Sequence, residues 1–281
     1  LNQLAANLEP AGRELFISVC SEALADPGSA ALRAAALLAL ARVQGEEAKA
    51  VVLGVANSGQ TIKERQAAVK AASLMKPEVA QWFFHGGDDH PGWLPQLASG
   101  ALDSAVQLDV FEAAETSNIK SLRNAAHSIR RGAKPEAIHR LSLHGGDPVV
   151  GKLIYETNQA AQCTRCHAIE GKGGDVGPNL DGVGKRQKPE HLLQSVVDPQ
   201  AEVTKGFGVQ TVTLNNGEIV SGTLISESDK DIVIRDTEGE KRLPLSAIKA
   251  RSQEVSGMPP AGLVLKPREL RDLLSYLQEL R

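Results

Sequence analysis

The spacing of hydrophobic positions along this chain changes near residue 146. Upstream, alanine-rich stretches carry apolar residues at helical intervals and are broken by Pro, Gly or Asp. That pattern predicts helices over 30–43, 46–56, 62–75, 105–115 and 119–131, with Cys20 a buried, unpaired thiol on a further amphipathic stretch. Downstream, Val150, Leu153 and Ile154 mark an amphipathic helix after Asp147, and Pro189 to Pro199 a short one. A third helix, from Pro267 to Leu280, has Pro at its start and acids in its first turns. Between Phe207 and Ile248 the period drops to two. Runs rich in β-branched residues are divided at Asn215-Asn-Gly217, Ser228-Asp229 and Glu238-Gly239, which predicts a four-strand antiparallel meander, curled as a small open barrel.

Arg33-Ala-Ala-Ala-Leu and Arg65-Gln-Ala-Ala-Val are offset by 65 − 33 = 32 residues, and Arg123-Asn-Ala-Ala echoes them. Small residues on helix faces let helix pairs stack closely, so residues 1–145 resemble a short HEAT-like α-solenoid, with a plain helical bundle as the alternative. The reading is a mainly α chain in two domains: helical repeats over 1–145, then 146–281 with a β insertion at about residues 205–250.

The chemistry concentrates at Cys163-Thr-Arg-Cys166-His167. Two thiols at this spacing add across the two vinyl groups of one porphyrin, and the adjacent imidazole then ligates the iron. A bare C-x-x-C also suits a redox dithiol or half a zinc site. Zinc wants a second ligand pair, and the remaining cysteine is Cys20 alone; a thioredoxin-type dithiol wants a βαβ setting and has no use for the histidine.

Downstream follow Gly171-Lys-Gly-Gly174, Gly177-Pro178-Asn179-Leu180 and, much later, Ser256-Gly-Met258-Pro-Pro260. In this order they resemble a class I c-type cytochrome. The resemblance implies that the Pro178 carbonyl holds the His167 imidazole and that Met258 supplies a thioether to the other face of the iron. The chain has two methionines; Met75 sits at a helix end before Pro77 and reads as core filler. A histidine or an open sixth position are the alternatives, and His191, in the first turn of its helix, reads as solvated. Gly151 and Tyr155 on the first helix, and Leu273, Tyr276 and Leu277 on the last, fit the helix crossing of that fold. With the β insertion, residues 147–281 resemble the haem-binding domain of large secreted planctomycete and verrucomicrobial proteins. Val197-Asp-Pro199, Gly217–Gly222 and Ser256–Gly262 belong to that likeness.

What the resemblance implies is one-electron transfer through one covalent haem c, with Cys163, Cys166, His167, Pro178, Leu180, Arg186 and Met258 at the cofactor and His167 and Met258 on the iron. Val176, Leu180, Val183, Leu192, Leu193, Val196, Leu263 and Leu265 are candidate pocket walls, and Lys185 and Arg186 face a haem propionate or solvent. The expected partner is a redox protein or an upstream sugar-dehydrogenase-like domain, in an exported, periplasmic setting, because bacterial haem attachment takes place outside the cytoplasm. The insertion is either a decoration or a homodimer surface. The rival readings are a peroxidase or gas sensor with a labile sixth ligand, and a repeat-domain adaptor with a structural haem.

Composition narrows the classes further. A net charge of −3 and no basic strip laced with aromatics argue against nucleic acid. No apolar run approaches membrane-spanning length. His85-Gly-Gly-Asp-Asp-His90 has the residues of a metal box, but the flanking Trp82, Phe83 and Trp93 suggest local packing; His127, His139 and His144 have no partner pattern.

Overall fold

Pro10–Ala25 (α1) is the first helix of a computed structural model that describes residues 10–43, 45–133 and 135–281. The chain divides into two compact units, Leu1–Gly145 and Gly146–Arg281. In the first, α1 is followed by α2 (Ala30–Val43), α3 (Glu46–Ser58), α4 (Ile62–Ser73), α5 (Pro77–His85), α6 (Trp93–Ser99), α7 (Gln107–Glu115), α8 (Lys120–Gly132) and α9 (Pro135–His139).

Helices α2, α4 and α7 pack in sequence, with α1 against α2, α3 against α4 and α8 against α7. Buried alanines at 36, 41, 48, 68, 71 and 72 bring these helices close, and Leu37, Leu40, Val52, Val69, Phe83, Phe84, Phe111 and Leu122 fill the space between them. The repeat arginines occupy the same place, the fourth residue of α2, α4 and α8. Each donates to a carbonyl at or just beyond the end of the preceding helix: Arg33 to Asp26, Arg65 to Ala56 and Arg123 to Ser117. Arg33 also forms a buried ion pair with Glu64 at 2.7 Å. Glu64 shares the α4 N-terminus with Thr61, whose hydroxyl accepts from Glu64 N while the Glu64 carboxylate accepts from Gln60 N. Helices α5 and α6 fall outside the predicted set, being too short to show a period.

Met75 is buried in this core. The His85–His90 loop is local packing: His90 Nε2 lies 3.1 Å from Phe83 O, and its ring lies against Trp82, over which Lys49 Nζ sits 3.7 Å from the ring centroid. Among the described residues no group of three or more His, Cys, Asp or Glu is placed to hold a metal ion, and no helix is long and apolar enough to cross a membrane.

The second unit opens with α10 (Pro148–Thr157), capped by the Asp147 carboxylate, which accepts from Val149 N. Next come α11 (Cys163–Cys166), a minimal hairpin of β1 (Ala168–Ile169) and β2 (Lys172–Gly173), α12 (Val183–Arg186) and α13 (Pro189–Val197). The sheet comprises β3 (Gly208–Leu214), β4 (Ile219–Glu227), β5 (Asp231–Asp236), β6 (Gly239–Pro244), β7 (Ile248–Arg251) and β8 (Val255–Ser256), and α14 (Pro267–Glu279) closes the chain. Helices α10 and α14 pack face to face. Gly151 permits the approach, since a Cβ there would stand 1.9 Å from Asp272 O.

The antiparallel sheet has the order β6-β5-β4-β3-β7, with β8 also paired to β3. Val212, Leu214, Val220, Ile232, Ile234 and Leu243 form its buried face. This corrects the four-strand expectation to six. β7 and β8 are too short and too polar to show alternation, and pairing with β3 alone makes them strands. The consequence is positional: the sheet runs to Ser256, two residues before Met258.

Candidate haem-attachment site

One turn of helix separates Cys163 from Cys166, so both thiols leave the same short α11, and His167 follows in extended conformation at its C-terminal end. Gln162, at φ 47°, takes the left-handed conformation that turns the chain from α10 into α11. Both thiols are free and half-buried, and burial pushes the Cys163 thiol up from its ordinary range.

The His167 ring is set by the loop after β2. Nδ1 lies 2.8 Å from Pro178 O. A carbonyl only accepts, so Nδ1 is the donor, and in the neutral ring Nε2 is the nitrogen with the lone pair. The main chain is fixed nearby: Gly177 N donates to Cys166 O and Leu180 N to Ala168 O. Gly177 is the close-approach point, since a Cβ there would fall 2.7 Å from His167 Cε1. From the other side Tyr155 Oη donates to His167 O at 2.8 Å. Burial, with Cys163 nearby as a smaller cause, pushes the Tyr155 phenol up to about 12.

The Gly177–Leu180 loop has its own network, which the sequence reading missed. Asp181 accepts from Glu170 N at 2.6 Å and from Asn179 Nδ2 at 3.1 Å, while Asp181 N donates to Asn179 Oδ1. Arg186 donates to the carbonyls of Asn179 and Asp181, so its guanidinium braces this loop. The available signal was an Asn and an Asp two residues apart next to Pro, a pairing that favours side-chain-to-backbone turns.

Of the candidate walls, Val183, Leu192, Leu193, Val196 and Leu265 are buried, while Leu180 is half-buried. Val176 and Leu263 stand 67% and 84% exposed. Lys185 is exposed, and His191 makes a surface pair with Glu202 at 3.7 Å. Met258 is half-buried, and its N–H donates to Ser256 Oγ at 3.2 Å. Met75 lies in the core of the other unit, leaving Met258 as the thioether in the unit that carries the cysteines.

Two free thiols one turn apart, an adjacent imidazole with Nε2 unencumbered and a glycine giving the ring its room suit a covalently attached haem. Residues 149–218 match the family model described as Cytochrome c. That match takes in α10, the attachment motif, Pro178 and α13, and ends in the first hairpin of the sheet, before Met258. No curated protein matches the chain. The match supports a c-type cytochrome domain, with the haem binding and electron transfer that such a domain carries.

Proposed function

We propose that the Gly146–Arg281 unit transfers single electrons through one haem c, joined to Cys163 and Cys166 and ligated by His167 and Met258. The observation that carries this is the His167 Nδ1 contact to Pro178 O, which fixes ring orientation and tautomer and raises the basicity of Nε2. When bound, the haem supplies the ferric/ferrous couple. Cys163 and Cys166 anchor the porphyrin through thioether bonds, and Met258 offers a soft donor that favours the reduced iron and closes the sixth position to substrates. Val176 and Leu263 provide apolar cover. Arg186 holds the Pro178 loop, which supports a positioning role more directly than a contact to a propionate.

In this reading the unit accepts electrons from an upstream dehydrogenase-like domain of a larger exported protein, a setting supported by the chemistry of haem attachment. The helical unit serves as a HEAT-like spacer or partner surface, supported by the recurrent arginine ties of α2, α4 and α8. A second copy would pair along an end strand of the sheet, β6 or β7. Lys241, Arg242 and Pro244 blunt the β6 edge; β7 carries Lys249 and Arg251 but no proline. Light scattering that shows a strict monomer would remove the dimer.

Absorption spectra of the haem-matured chain in both iron states, with and without carbon monoxide, test the central reading. The expected result is a weak far-red sulfur-to-iron band in the ferric form, lost in Met258→Ala, and no response to carbon monoxide. A high-spin spectrum that shifts promptly with carbon monoxide would replace it with a catalytic or gas-binding haem.

A further inference from the structure

Helix α13 ends in a turn, Asp198-Pro199-Gln200-Ala201, closed by Ala201 N donating to Asp198 O. Pro199 takes the second position, where its fixed φ suits the turn, and is buried; Gln200 is exposed. The Gln200 amide reaches across to β8. Its Nε2 donates to Ser256 O at 2.9 Å, and its Oε1 accepts from Ser256 N at 3.0 Å. On the opposite side, β8 pairs with β3 through Gly208↔Ser256 and Val209↔Val255. In an antiparallel ladder the N–H and C=O of one residue point the same way. The outward-facing pair of Ser256 is therefore taken by a side-chain amide, in the place a further strand would occupy.

We propose that Gln200 is the positioning residue for Met258: its amide clamps Ser256 and so fixes the loop that presents the thioether. The inference rests on Met258 being an iron ligand, as proposed above. The loop has little else to order it. Pro259 and Pro260 carry no N–H, and the Met258 N–H is spent on Ser256 Oγ. Beyond them regular bonding resumes with Leu263 N to Pro260 O and Leu265 N to Ala261 O, where the 3₁₀ turn Ala261–Leu263 packs on α13. Both ends of the Met258 loop are thus tied to α13 or to the turn that follows it. Two exposed neutral hydrogen bonds contribute modestly to folding, but here both act on the residue two positions before the donor sulfur.

The test uses the haem-matured full chain, with free imidazole as a competitor for the sixth position of the ferric iron. Gln200→Ala should bind imidazole roughly tenfold more tightly, on the scale of one or two lost hydrogen bonds. It should also speed amide exchange at Ser256 and move the thermal midpoint by only a few degrees. Gln200→Glu keeps the acceptor for Ser256 N but places a carboxylate oxygen against Ser256 O, and should loosen the loop in the same direction. Met258→Ala is the control. If it binds imidazole strongly while Gln200→Ala matches the parent chain, the clamp is overturned and ligation by Met258 stands. If Met258→Ala also matches the parent chain, Met258 is not the displaced group, and both readings fall. A large drop in the thermal midpoint of Gln200→Ala would make the contact a general staple of the fold and overturn the positioning role.

Discussion

Gly177 and His167 are in contact through the absence of a side chain: a Cβ on residue 177 would stand 2.7 Å from Cε1 and 2.9 Å from Nδ1 of the imidazole. The ring has Pro178 O as its partner and cannot retreat without giving up that bond.

Gly177→Ala is therefore expected to displace His167 or the Pro178 carbonyl. Overpacking of this kind costs about 1–3 kcal/mol. The readouts are a lower yield of covalent haem and a lower reduction potential in the haem that does attach. A variant with parental yield and potential would show that the loop absorbs the methyl group.

Tyr155→Phe removes the phenol that donates to His167 O. A carbonyl left without its partner in this half-buried setting costs about 1–2 kcal/mol. Chemical denaturation of the haem-matured chain should show this loss in the transition that reports on the haem. An unchanged midpoint would mean that water replaces the phenol at no cost.

Gly151→Ala tests the α10–α14 crossing. The added Cβ would meet Asp272 O at 1.9 Å and Tyr276 Cβ at 2.8 Å, both on the facing helix. The helices must separate, with an expected loss of about 3 kcal/mol or more, because backbone atoms have no rotamer to escape into. A thermal midpoint within a degree or two of the parent's would rule the close crossing out.

The Arg33–Glu64 pair sets a pH dependence for the helical unit. Burial pushes the Glu64 carboxyl up, but hydrogen bonds from Arg33, Thr61 and Gln60 outweigh it and hold the group below the ordinary carboxylate range. A depressed value means that the stabilisation is present above the ordinary carboxylate range and is lost as pH falls through the lowered value. Helical unfolding followed by circular dichroism should show this acid loss, and Glu64→Gln should flatten it. At neutral pH Glu64→Gln leaves Arg33 buried without its counter-charge, at a cost of about 3–5 kcal/mol. A variant as stable as the parent at pH 7 would contradict the pairing.

Much of the architecture was legible from residue spacing. Helix α2 follows the 30–43 pattern to the residue, and α3, α4, α7 and α8 depart from theirs by two residues or fewer at each end. Strands β3 to β6 follow their alternation and turn residues closely. Short elements were not legible. Helices α5 and α6, with nine and seven residues, offer too few turns for a period, and β7 and β8 are strands only because β3 lies beside them. At the site, the placement of Cys163, Cys166 and His167 side by side was readable because they are neighbours in sequence. Gln200 was not, since nothing in a lone glutamine after Asp-Pro reports a partner 56 residues away.

The amino-acid sequence by itself thus determined the local periods, the pairing of two thiols with an imidazole, and the glycine–proline loop that follows. These depend on residues within a few positions of one another. Tertiary structure alone decided that Pro178 O meets Nδ1 at 2.8 Å, that Arg33 reaches Glu64, and that Gln200 fills the edge of β8 ahead of Met258. The physical reason is the same each time. A hydrogen bond across a long loop depends on where two separate elements come to rest, and only packing of the whole unit settles that.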